Sequence, residues 1–210
     1  MLLYERVNQM AKPDRNLVDR ISATFNTAED VDYFFDQLKS PDWIEPLASA
    51  DFFKYPPEPH RVDGGVQFPP WSASRYLARM ADISPELVKR TLLDLPDTKN
   101  VRVLYDLLTA LIAMPPELAA EFTPRIVSWL DNPFHLLLPE KVTKLIRRFA
   151  LAGMSQPALT LAASLFRIHS VEPFRVGDDD ASFDFPTETL SVIDSYEFER
   201  SIVAEVYAFR

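Results

Sequence analysis

Apolar residues recur every three to four positions through most of this chain, and proline cuts the pattern at short intervals. In TAEDVDYFFDQLK, Val31, Phe34, Phe35 and Leu38 fall at i, i+3, i+4 and i+7, one face of a helix. Asn26 or Thr27 can cap its start, Glu29 and Asp30 suit its first turn, and Ser40-Pro41 ends it. The same spacing predicts helices over about 16–25, 46–53, 70–81, 85–95, 100–114, 116–130, 139–152, 155–168 and 195–209. The last carries Phe198, Ile202, Val203, Val206 and Tyr207 on one face. Pro85, Pro116 and Pro139 open helices, where a missing N–H costs nothing. Pro124 falls inside a predicted helix and is expected to bend it. Gly153 is the natural residue just past a helix end. Residues 171–186, with Asp178-Asp179-Asp180, Gly177 and two prolines, read as a loop.

The helical pattern repeats. Shifted by 39 residues, Val103 falls on Val142, Leu107 on Ile146 and Ala113 on Ala152. Shifted by 31, Pro85-Glu86-Leu87 falls on Pro116-Glu117-Leu118. A helix–turn–helix unit therefore occurs three times over about 71–170, and its short proline-marked turns force neighbouring helices antiparallel. The stretch LPDTKNVRVLYDLLTALIAMPPELAAEFTPRIVSWLDNP, with a turn at Asp97, Val101-Arg102-Val103 opening a helix and Pro124 in its partner, resembles a HEAT or armadillo-like repeat. The resemblance covers about half of the chain. It implies an α-solenoid that serves as a protein-binding scaffold.

The segment FFKYPPEPHRVDGGVQFPPW, 52–71, belongs to no repeat. Its five prolines make it stiff and extended. Phe52, Phe53, Tyr55, Phe68 and Trp71 would bury roughly 150–250 Å² each. It is expected to be a strap across helix ends with its aromatics plugged between helices, and 62–66 as an exposed tip. The organisation that follows is one continuous domain: a helical cap and strap over 1–70, three repeats over 71–170, and an acidic loop with a final helix over 171–210.

Composition narrows the chemistry. With 18 prolines and only 4 glycines in 210 residues, tight β-hairpins and phosphate-cradling loops are not expected. The net charge of -9 works against nucleic acid and anionic membranes. No apolar run approaches the roughly 20 residues of a membrane span. There is no cysteine, which excludes disulfides and thiolate chemistry and fits a cytoplasmic setting. The first residues lack the apolar core of a secretory signal. The abrupt end after the last amphipathic helix suggests the N-terminal module of a larger protein.

No reactive constellation emerges. His60, His135 and His169 have no ligand-type residue at i+3 or i+4 in a helical run. Asp178-Asp179-Asp180 lacks the glycine and glutamate of a calcium loop. Nucleophile elbows, Walker loops and dinucleotide fingerprints are absent. Catalytic residues, cofactor and metal are therefore assigned none. Two charged groups remain as candidate partner-binding residues. Trp71, Arg75 and Arg79 open one helix; the arginines either line a concave surface or pair with Asp82 and Glu86. Lys141, Lys144 and Arg148 share the face of another helix, in reach of an acidic segment of this chain or of a partner. Residues 172–199 hold nine acids against Arg175 alone. The expected function is a non-catalytic protein-interaction scaffold, whose partner is another protein or another part of a longer parent chain. The alternatives are a ligand-binding protein or enzyme with a pocket between helices, and a nucleic-acid binder using the basic helix 141–148.

Overall fold

The computed structural model describes residues 13–63, 65–131 and 137–166. His135, His169, the 171–186 loop with its aspartate triplet and the helix over 195–209 lie outside the described residues. The described chain is mostly helical, as its periodicity requires, with one two-stranded sheet. The chain divides into two compact units: Met1–Glu58 with Phe68–Ala119, and Pro59–Gln67 with Ala120–Arg210.

The first unit begins with α1 (Arg15–Ser22), α2 (Ala28–Gln37), a 3-10 turn at Pro41–Trp43 and α3 (Ile44–Ser49). Thr27 and Asp30 form a reciprocal capping box at the start of α2. Asp30 accepts from the backbone N–H groups of Asn26 and Thr27, both at 2.9 Å. These bonds favour the ionised carboxylate and hold its pKa below the ordinary 3.8. Phe34, Phe35, Trp43, Ile44 and Leu47 are buried. Each side chain so buried contributes about 1.5–3 kcal/mol.

After the strap come α4 (Ser72–Met80), α5 (Pro85–Asp94) and α6 (Val101–Ala113), and α7 (Pro116–Ala120) follows. Helix α4 packs chiefly on α6 and also on α2. Asn100 caps α6, and its carboxamide makes every bond open to it. Oδ1 accepts from the N–H groups of Arg102 and Val103, while Nδ2 donates to the carbonyls of Pro57 (2.8 Å) and Pro69 (2.9 Å). It is fully buried. The chain thus leaves for the strap at Pro57 and returns at Pro69, held at both points by one side chain.

The strap corrects two expectations. It contains a β-hairpin, β1 (His60–Val62) with β2 (Gly65–Gln67), antiparallel in the register His60↔Gln67, Arg61↔Val66, Val62↔Gly65. A glycine-poor chain can still form a hairpin when a glycine stands where the second strand begins, as Gly65 does. The aromatics are also unequal: Phe53 is buried, Phe52, Phe68 and Trp71 are half-buried, and Tyr55 is 72% exposed.

The second unit contains the hairpin, α8 (Thr123–Leu130), α9 (Pro139–Leu151) and α10 (Ser155–Leu165). Pro124 stands in the first turn of α8 instead of bending a longer helix, because the helical run breaks between Ala120 and Thr123. Gly153 ends α9 with φ +74°. Its N–H reaches Ala150 O at 3.0 Å and that of Met154 reaches Phe149 O at 2.8 Å, the paired bonds of a Schellman stop. Helix α10 packs on α9 and on α8.

Candidate functional site

The two charged groups singled out in the sequence fall in different units. Trp71 caps the start of α4, Arg75 stands in its first turns and Arg79 in its last. Trp71 is the N-cap residue, and its carbonyl lies 2.7 Å from Ser74 Oγ. Arg75 and Arg79 do not pair with Asp82 and Glu86. They turn to the acidic outer edge of α2. Arg75 Nη2 is 3.7 Å from Asp32 and 3.8 Å from Asp36, and Arg79 Nη1 is 3.9 Å from Asp36. Arg79 Nη2 donates to Phe35 O at 2.7 Å, and its guanidinium lies 6.0 Å from the centre of the Tyr76 ring. Arg79 therefore acts mainly to tie α4 to α2.

Beside this lattice is a shallow cleft of about 570 Å³. Asp36, Lys39, Arg79 and Asp82 give it charge of both signs, over a floor that includes Leu38, Met80 and Ala113. Two further contacts of α4 were announced by no local pattern. Ser74 Oγ is 2.6 Å from Asp106 Oδ2, joining α4 to α6. Tyr76 Oη donates to Ser40 O at 2.7 Å, and burial pushes its pKa far above the ordinary phenol. The Ser74–Asp106 bond links the two helices.

In the second unit, Lys141, Lys144 and Arg148 stand at i, i+3 and i+7 along α9, opposite the buried row Val142, Leu145, Ile146 and Phe149. Lys144 pairs with Glu140 at 2.5 Å, which lowers the Glu140 pKa. Helix α10 differs from the other described helices of this unit: SQPALTLAASL has no charged residue. Its inner row is Ala158, Leu161 and Ser164. Its outer row is apolar too. Leu159 is 67% exposed, Phe166 just past the helix end is 54% exposed, and Ala163 between them is exposed.

Among the described residues, no group of three or more His, Asp or Glu side chains is placed to hold a metal ion. No described helix is long and apolar enough to cross a membrane. No protein-family profile matches the chain significantly, and neither does any curated protein or solved structure.

Proposed function

We propose that this chain is a non-catalytic protein-interaction scaffold of HEAT-type helix pairs, and that the basic row of α9 binds an acidic segment of a protein partner. The row itself carries the reading. Lys141, Lys144 and Arg148 repeat like charge at helical spacing, an arrangement that weakens a helix by a few tenths of a kcal/mol per pair. In a chain of net charge -9, so local a concentration of positive charge on one helix face suits an acidic ligand. Packing supports the repeat: within the first unit α4 lies on α6, and within the second α8 lies on α10, each helix meeting the next but one. The absence of cysteine supports a cytoplasmic protein. On this reading Arg75 and Arg79 serve the fold, and Trp71 borders it.

The test is affinity enrichment on matched matrices carrying the wild type or the Lys141→Glu/Lys144→Glu/Arg148→Glu variant, quantified by mass spectrometry. Proteins with acidic segments should be held by the wild type, lost by the variant, and released above about 0.3 M salt, where screening is short-ranged. An identical set on both matrices would refute the assignment. Nucleic acid as the ligand is tested by a salt titration against duplex DNA and single-stranded RNA, with no binding expected at about 50 mM salt. A small-ligand reading draws on the cleft beside Asp36 and Asp82. Chemical-shift changes at α2 and α4 in a fragment screen would support it.

A further inference from the structure

Three helices of the first unit end around one cleft. Helix α2 stops at Gln37, α4 at Met80 and α6 at Ala113. The cleft is lined by Asp36 and Lys39 at the first of these ends, Arg79 and Asp82 at the second, and Ala113 at the third. A helix C-terminus carries partial negative charge, because its last carbonyls lack amide donors. The turn after α6 adds to this: Pro115 and Pro116 have no N–H to offer the carbonyls of Leu111 and Ile112, four residues before them. Lys39 and Asp82 bring opposite charges to the cleft. Among the described residues, neither enters a hydrogen bond or an ion pair, with the other or with any neighbour. We propose that this cleft binds a small zwitterion, a free amino acid or a short peptide, with the ligand carboxylate on Lys39 and its ammonium on Asp82.

Charge selects the ligand class. A simple anion at Lys39 would also meet Asp36 and Asp82, and a simple cation at Asp82 would also meet Lys39 and Arg79. A molecule with both charges satisfies each end and is repelled by neither. Arg79 does not compete for the carboxylate, since it already donates to Phe35 O and lies beside Asp36. The ammonium gains further from the helix ends, each of which favours a cation by about 0.3–1 kcal/mol. Buried Leu38 and Met80, with Ala113, give a side chain of the ligand an apolar floor. The volume of about 570 Å³ falls within the roughly 300–1,000 Å³ of small-molecule sites. Zwitterion binding here rests on the small-ligand reading of the cleft and asks nothing of α9.

Two-dimensional NMR of the full chain tests this, with free leucine and with the dipeptide alanyl-leucine in its free, N-acetylated and C-amidated forms. Free dipeptide should shift the amides of 36–39, 78–82 and 113. Either blocked form should bind at least about tenfold more weakly. Lys39→Gln should lower affinity for the free dipeptide by a similar factor and leave that for the amidated form unchanged. Asp82→Asn should do the same with the acetylated form. Both side chains are exposed and unpaired among the described residues, so the fold should survive either change. Leucine binding as tightly as the dipeptide would make the ligand a free amino acid, and a tighter dipeptide would make it a peptide. Equal binding of free and blocked forms would overturn the zwitterion and leave the cleft as a site for other small ligands. The zwitterion is also overturned if neither probe moves these amides at about 10 mM. Fragment hits at the same amides would then still uphold the small-ligand reading, and their absence would remove both.

Discussion

The α1–α4 region and the α9–α10 pair solve the same problem differently. In the first, seven aromatic rings from α2, α4 and the segments around them meet tilted or edge-on, with centroids 5.4 to 6.5 Å apart. Its polar side chains reach carbonyls far away in sequence: Tyr76 to Ser40, Arg79 to Phe35, Asn100 to Pro57 and Pro69. In the second, the hydroxyls of Thr143, Thr160 and Ser164 bond back to the carbonyl four residues earlier in their own helix. The first region is fastened across elements. The second is held by apolar contacts of α10 with α9 and with α8, and an apolar row stays exposed on the outer side of α10.

The sharpest way to break this contrast is the aromatic cluster. Phe35→Ala should lower unfolding free energy by about 3–5 kcal/mol in denaturant titration. Leu151→Ala, at a side chain 71% exposed, should stay within about 0.5 kcal/mol. Similar values for the two would remove the distinction. Next comes the strap tie. Asn100→Ala deletes the helix cap and leaves two carbonyls short of a donor, for an expected loss of about 2–4 kcal/mol. Asn100→Asp keeps the cap and loses only the donors, so the difference between the two variants measures the tie by itself.

Tyr76→Phe should cost about 1–2 kcal/mol by stranding Ser40 O. The smallest effect is read in acid. The Asp30 carboxylate has a folded-state pKa below 3.8. Its contribution is therefore fully present above the ordinary value and is lost as pH falls through the depressed one. Asp30→Asn should flatten the fall in thermal midpoint below about pH 4, with little change near neutrality.

Much of the secondary structure was legible because its causes are local. Pro85, Pro116 and Pro139 at helix starts, Thr27 as a cap and Gly153 at a helix stop each act within one turn of themselves. The hairpin was misjudged because total glycine content was weighed, and what matters is where glycine falls. The partners of Arg75 and Arg79 were misjudged for another reason. Asp82 and Glu86 continue the α4 spacing, but packing of α4 on α2 brings Asp32 and Asp36 closer.

By itself the sequence determined a mostly helical chain, the proline corners, the amphipathic faces and the two rows of positive charge, since helical period and imino-acid geometry are properties of neighbouring residues. Only the tertiary structure decided which of those charges are already engaged, that Asn100 closes the strap, and that α10 turns an apolar row outward. Those outcomes depend on residues tens of positions apart meeting across helix interfaces, where burial gives a hydrogen bond or an exposed leucine its weight.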